Sequence, residues 1–118
     1  MRDFLSRPLE DRVKERSILA NKYPTRSCVI VDRASGASNV PLIDKHKFLV
    51  PNDLTFGQFI TVVRKRLKLD PATALFFFVQ DTLIPGASST MATLVHNHKS
   101  VDGYLYILYN GESVFGSQ

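Results

Sequence analysis

The sequence has one cysteine, no tryptophan and no long apolar run. A lone cysteine excludes a disulfide framework and a cysteine-based zinc site within one chain, and it is typical of proteins from a reducing compartment. No run approaches the roughly 20 apolar residues that cross a bilayer, and residues 1–4 are not followed by an apolar signal segment. We therefore expect folding in the cytosol, with any membrane attachment added covalently.

Motifs for catalysis and for metal binding are missing as well. The sequence has no glycine-rich phosphate loop and no G-x-S-x-G nucleophile motif. His96 and His98 have Asp102 nearby but no cysteine ligand or acidic cluster, so we interpret them as surface residues. Cys28 lies in an apolar strand pattern, where a buried thiol is inert. We predict a protein that is not an enzyme, with no catalytic residues, metal or cofactor.

What the sequence does contain suits one ordinary globular domain. Of its 118 residues, 44% are hydrophobic and 22% charged, which is enough apolar material for a single core. The net charge of +4 is compatible with acidic partners or nucleic acid. The basic residues are scattered rather than clustered, so we predict no nucleic acid partner and keep a basic nucleic-acid binder as an alternative from a different class.

Local signals predict the helices. Pro8 suits a helix start and Pro24 a helix end, which indicates a helical segment between them, with a separate short helix possible before Pro8. Thr55 and Gln58 have the spacing of a capping box, and an apolar face follows them. We expect that helix to stop at residues 70–71, and a further short helix over residues 90–95.

Four segments read as strands, over residues 28–31, 47–51, 75–79 and 104–109. The segment 75–79 is too apolar for a solvated face and predicts a central strand buried on both sides. Two strands, a crossover helix and further strands indicate the α+β class and a mixed four-stranded sheet with one helix packed across it. This is the β-grasp arrangement, with extra helical sequence in front.

Four blocks of sequence, in order, carry a resemblance. They are IDKHKFLVP (43–51), LTFGQF (54–59) leading into VRKR (63–66), FVQDTL (78–83), and HKSVDGYLY (98–106) followed by YNGE (109–112) and FG (115–116). Together they closely resemble the autophagy ubiquitin-like modifiers, the family of the microtubule-associated protein light chain and the GABA-receptor-associated protein. The resemblance covers nearly the whole chain and implies a ubiquitin-like β-grasp fold with two additional N-terminal helices.

The resemblance also implies a conjugation cycle at Phe115 and Gly116. A cysteine protease would cleave after Gly116, and activating and conjugating enzymes would carry its carboxyl group as thioesters. The group would end as an amide on phosphatidylethanolamine, which moves the chain from the cytoplasm to the autophagosomal membrane. The alternative is an unconjugated cytosolic peptide-binding adaptor, which does not need Gly116.

The family also binds cargo receptors that carry short aromatic-x-x-aliphatic motifs, which add as a strand to an exposed sheet edge. The implied edge is residues 47–51. The implied aromatic pocket is lined by Glu15, Leu19, Cys28, Ile30, Lys47 and Leu49. The implied aliphatic pocket is lined by Phe48, Val50, Pro51, Leu54, Phe59 and Val62. The acidic residues that flank such motifs would be held by Lys45, Lys47 and Arg66. For Phe59 and Leu54, plain core packing remains open.

We predict a single domain in three parts: an N-terminal helical subdomain (1–24), a ubiquitin-like core (25–110) and a flexible C-terminal tail (111–118). Cys28 stands where the family commonly has proline, and the loop over residues 34–39 is about one residue longer than in close relatives. We expect these differences to change receptor preference rather than the fold.

Overall fold

The computed structural model describes residues 2–37, 39–80, 82–84 and 86–113, without the side chains of the first two. In chain order the elements are α1 (Arg2–Leu5), α2 (Leu9–Lys22), β1 (Arg26–Arg33), β2 (Lys47–Pro51), α3 (Phe56–Leu67), β3 (Phe76–Val79), β4 (Thr82–Leu83), α4 (Met91–His98) and β5 (Leu105–Asn110). None of the helices in this part of the chain is long and apolar enough to cross a membrane.

The strands form one mixed sheet in the order β2-β1-β5-β3-β4. β1 runs antiparallel to β2 and parallel to β5, and β5 runs antiparallel to β3. A parallel pair needs a crossover, and the chain between β1 and β5 supplies it with α3 and α4. β2 is left at one edge of the sheet.

The α+β class, the mixed sheet and the two N-terminal helices are confirmed, but two details of the predicted sheet are wrong. It has five strands, not four, because Thr82–Leu83 folds back and pairs antiparallel with β3. The strand over 75–79 is indeed buried at Phe77, Phe78 and Val79, yet β5 is the central strand. Apolar composition reports burial and carries no information on strand order.

Helix α3 begins as its sequence predicts. Thr55 Oγ1 accepts a hydrogen bond from the Gln58 backbone N–H at 3.2 Å, and Gln58 Oε1 accepts one from the Thr55 N–H at 2.9 Å. The helix ends at Leu67, before the predicted stop at 70–71, because Lys68 adopts a left-handed conformation with φ of 56°. Its buried side chains are Phe56, Phe59, Val63 and Leu67.

The sheet has two faces, which are covered differently. One face carries the main core, which α3 covers and which includes Val29, Val31, Phe48, Val50, Phe59, Leu105 and Ile107. The opposite face lies under the N-terminal helices. Its apolar residues, called here the second-face cluster, are the buried Cys28, Ile30 and Tyr104 and the partly buried Phe4, Leu19, Leu49 and Tyr106.

Polar contacts and the partly buried Leu19 hold α2 to the second face, and none of the residues of α2 is fully buried. Arg12 Nη1 donates to the carboxylate of Asp102 at 2.6 Å, and the Tyr106 hydroxyl donates to the same carboxylate. Asp102 is only 2% exposed, and its other oxygen accepts from the Tyr104 N–H at 2.9 Å. Its charge is therefore compensated by three donors, as a buried carboxylate requires.

Candidate functional site

The backbone of β2 is open on one side, because β1 is its only neighbour among the strands described. The Val31 N–H donates to the His46 carbonyl at 2.8 Å. Alternate residues of an antiparallel strand face opposite sides, so the N–H and C=O groups of Lys47 and Leu49 face away from β1. Arg26 Nη1 donates to the Leu49 carbonyl at 3.2 Å, and an added strand would compete with that contact.

The side chains of β2 alternate between the two faces of the sheet. Phe48 and Val50 are buried in the main core, where the Phe48 ring meets the Phe59 ring edge-on at 5.7 Å. Lys47 and Leu49 are half-buried, and Leu49 packs on the second-face cluster. The β2 edge therefore presents side chains to both faces of the sheet, the main core face and the second face.

The residues predicted for the aromatic pocket lie together. Its four apolar members all belong to the second-face cluster: Leu19, Cys28, Ile30 and Leu49. The β1–β2 register places Cys28 opposite Leu49. The polar members join them, since Lys47 Nζ donates to Glu15 Oε1 at 2.8 Å.

Glu15 is the polar centre of this pocket. Besides the bond from Lys47, its carboxylate accepts from the Tyr104 hydroxyl at 2.5 Å and from Arg7 Nη1 at 3.1 Å. Burial raises its pKa, but the hydrogen bonds from Lys47 and Tyr104 outweigh burial and lower the pKa of Glu15 to about 2. Burial and the bond to Glu15 raise the pKa of Tyr104. At neutral pH a neutral phenol therefore donates to a charged carboxylate.

Sequence reasoning missed Phe4 and Tyr104, which also line this pocket. Their rings meet edge-on at 5.2 Å, and Lys47 Nζ lies 5.7 Å from the centroid of the Phe4 ring. Alternation over 104–109 places Tyr104 and Tyr106 on one face, but only the β1–β5 pairing tells which face that is. Phe4 gave no signal, because a four-residue helix is too short for a periodic pattern.

The residues predicted for the aliphatic pocket divide into two groups. Phe48, Val50 and Phe59 are buried in the main core, Leu54 is partly buried against it, and Pro51 and Val62 are exposed. The surface that an incoming side chain can reach is therefore that of Leu54, Pro51 and Val62. Core packing, which the sequence left open, describes Phe59 fully and Leu54 in part.

The three predicted cations have different surroundings. Lys47 is paired with Glu15, as described above. Arg66 Nε donates to Asp44 Oδ1 at 2.9 Å, and that hydrogen bond lowers the pKa of Asp44. Lys45 Nζ lies 5.0 Å from the centroid of the Phe48 ring. An acidic peptide that reached Lys47 or Arg66 would exchange one carboxylate partner for another.

Three further points bear on reactivity. Cys28 is 5% exposed and burial raises the pKa of its thiol, so it presents no thiolate at neutral pH. Within the described ranges no group of three or more His, Cys, Asp or Glu residues is placed to hold a metal ion. Phe115 and Gly116, predicted as the cleavage and conjugation site, lie outside the described residues.

Sequence comparison identifies relatives over nearly the whole chain. A sequence model of the family described as "Autophagy protein Atg8 ubiquitin like" matches residues 11–116. Autophagy-related protein 8a of Arabidopsis thaliana is 53% identical over 113 residues, which cover 96% of this chain and 91% of that protein. Autophagy-related protein 8 of Schizosaccharomyces pombe is 46% identical over 108 residues, covering 92% and 88%.

Structural comparison agrees with this result. The crystal structure of ATG8 from Trypanosoma brucei superimposes with a TM-score of 0.84 at 38% sequence identity, covering 95% of each chain. A backbone match of that extent confirms the ubiquitin-like fold that the sequence predicted. This chain belongs to the Atg8 family of ubiquitin-like autophagy proteins.

Proposed function

We propose that this chain is a ubiquitin-like modifier of autophagy that is conjugated through Gly116 to phosphatidylethanolamine and recruits receptors through the β2 edge. It acts as substrate and adaptor. Catalysis belongs to its partners: a processing and deconjugating cysteine protease, an activating enzyme and a conjugating enzyme. The chain is cytoplasmic before conjugation and on the autophagosomal membrane after it.

The main observation in support of receptor binding is the open edge of β2. The backbone N–H and C=O groups of both Lys47 and Leu49 point away from the sheet. A peptide can form hydrogen bonds with these groups as an added strand. Pro51, the last residue of β2, has no N–H, so backbone pairing with an added strand ends there. Backbone pairing then supplies affinity, and side-chain pockets supply the choice of peptide.

The spacing of the peptide motif fits the two pockets. In an extended strand, residues three apart point to opposite faces. An aromatic-x-x-aliphatic motif therefore sends its aromatic side chain to the second face, towards Cys28 and Ile30. Its aliphatic side chain goes to the α3 side, towards Leu54 and Val62. The two pockets lie on opposite faces of one edge, as that motif requires.

The conjugation half is supported by family membership and by the match that extends to residue 116. Glycine has no Cβ, so a nucleophile can approach its carbonyl closely and the chain can enter a narrow enzyme cleft. Gly116 is the residue that would supply the carboxyl group once Ser117 and Gln118 are removed.

Mass spectrometry of the chain recovered from cells tests the conjugation half. We expect loss of Ser117 and Gln118 and a phosphatidylethanolamine adduct on Gly116, and the Gly116→Ala variant should lack the adduct. Leu9→Ala, an exposed change on α2, serves as the control and should be processed normally. A chain that stays full-length with no adduct contradicts conjugation, and a Gly116→Ala chain with full function in cells favours the unconjugated adaptor.

A further inference from the structure

The ring of Phe4 lies in the pocket assigned to the aromatic residue of the peptide. It packs on Cys28, Ile30 and Tyr104, the buried members of the second-face cluster. Its centroid is 5.2 Å from that of Tyr104 and 6.0 Å from that of Tyr106. The chain thus supplies its own aromatic side chain to this site.

Cations surround the Phe4 ring as well. Lys47 Nζ lies 5.7 Å from its centroid and the Arg7 guanidinium carbon 5.3 Å. Both cations donate to the carboxylate of Glu15. The ring therefore lies within a set of charged groups that belongs to the proposed peptide site, because Lys47 is also a residue of the β2 edge.

We propose that Phe4 is an internal ligand of the aromatic pocket, and that a receptor peptide binds only after α1 has moved Phe4 out. The inference rests on the proposed function, since it concerns the regulation of the same peptide site. The occupant of the pocket is a named residue of this chain, and its competitor is an aromatic side chain of the incoming peptide.

The attachment of Phe4 is weak enough to be exchanged. Helix α1 has only four residues, far below the length at which an isolated helix is stable in water. Phe4 is itself only partly buried, and α2, which follows it, buries no residue. Ordering α1 against the sheet thus gains little apolar burial to offset its conformational entropy.

Competition of this kind lowers the apparent affinity of the peptide by the fraction of molecules whose pocket is open. A closed state populated about nine-tenths of the time weakens binding about tenfold. An acidic residue beside the peptide's aromatic residue would draw Lys47 away from Glu15. That exchange would also remove one of the cations next to the Phe4 ring.

Calorimetric titration with a peptide tests the proposal, using a tryptophan-free phenylalanine-x-x-leucine peptide preceded by aspartates. We expect Phe4→Ala to bind it about tenfold more tightly than the unmodified chain. Leu9→Ala, which removes an exposed apolar side chain on α2, is the matched control and should bind as the unmodified chain does. Equal affinity of the unmodified chain and Phe4→Ala overturns the inference but leaves peptide binding in place, whereas no binding by either overturns the proposed function with it.

Fluorescence of the Phe4→Trp variant gives a direct readout of displacement. The natural chain has no tryptophan, so the variant reports one indole only. We expect emission typical of a buried indole in the free protein, shifting to longer wavelength as the peptide saturates the site. Emission that stays unchanged while calorimetry records binding of the same peptide overturns the inference.

Discussion

The two faces of the sheet are held by different kinds of contact. On the main core face, α3 buries four side chains and its first turn is closed by a capping box. On the second face, α2 buries none of its residues and its N-terminus has no side-chain cap. The second face is held instead by Arg12 on Asp102 and by Lys47 and Tyr104 on Glu15.

This difference suggests that the main core face provides most of the folding stability and that the second face opens more easily. Apolar burial accounts for most of the free energy of folding, whereas the partly exposed pairs of Lys47 and Arg7 with Glu15 contribute little net stability. We therefore expect a face that is held by polar pairs and by the partly buried Phe4 and Leu19 to open while the main core stays folded. The β2 edge borders that face, so the region that the proposed peptide binding would change is held with less apolar burial than the main core.

The largest expected effect is the loss of Phe59 from the main core. Phe59 is fully buried, so Phe59→Ala should lower the free energy of unfolding by about 3–5 kcal/mol through lost apolar burial and the cavity left behind. Urea denaturation measures the change. Leu19→Ala is the matched test of the second face and should cost less than half as much. Equal losses would mean that the two faces contribute alike to stability.

The second expected effect concerns Asp102. The change Asp102→Asn removes the negative charge opposite Arg12 and leaves a donor near the Tyr106 hydroxyl, at a cost of about 1–3 kcal/mol for unsatisfied buried polar groups. Hydrogen exchange should speed up in α2 while the amides of β1 and β5 keep their protection. Asp53→Asn, an exposed substitution, is the control. Faster exchange spread evenly over the sheet would contradict a local role.

The third effect tests the N-terminal cap of α3, a side-chain hydrogen bond that α2 lacks. Thr55→Ala removes the acceptor for the Gln58 N–H, so it should lower the free energy of unfolding by about 1 kcal/mol. Thr61→Ala within the same helix should stay within about 0.5 kcal/mol. Thermal or urea unfolding measures both variants. A Thr55→Ala loss no larger than that of the control would show that the capping box adds nothing measurable.

The fourth effect is on the pH dependence of the second face. Because Glu15 has a pKa of about 2 in the folded chain and about 4.3 when unfolded, its contribution is fully present above the unfolded value. It is lost as pH falls towards 2. The NMR signals of the Phe4 ring should report loosening in this window before the main core responds. The Glu15→Gln variant should not show this loosening of the Phe4 ring at low pH. If the loosening persists in the variant, protonation of Glu15 is not its cause.

The sequence predicted those features that depend on local physics. The capping box at Thr55, the buried strand β3 and the bounds of strand β2 follow from spacing, apolar composition and proline, whereas the edge position of β2 was implied by the family resemblance. The order of the strands did not follow, because alternation gives the period of a strand and not its neighbour. Phe4 escaped prediction for a related reason, since its role depends on where α1 lies against the sheet.

Protection of individual backbone amides in the presence of a saturating aromatic-x-x-aliphatic peptide tests the central claim most directly. If the peptide adds as a strand to β2, the amides of Lys47 and Leu49 should become protected from hydrogen exchange. Those of Phe48 and Val50, which already face β1, should stay as they are. Unchanged exchange at Lys47 and Leu49, or protection gained instead at the opposite edge over Thr82–Leu83, would contradict it.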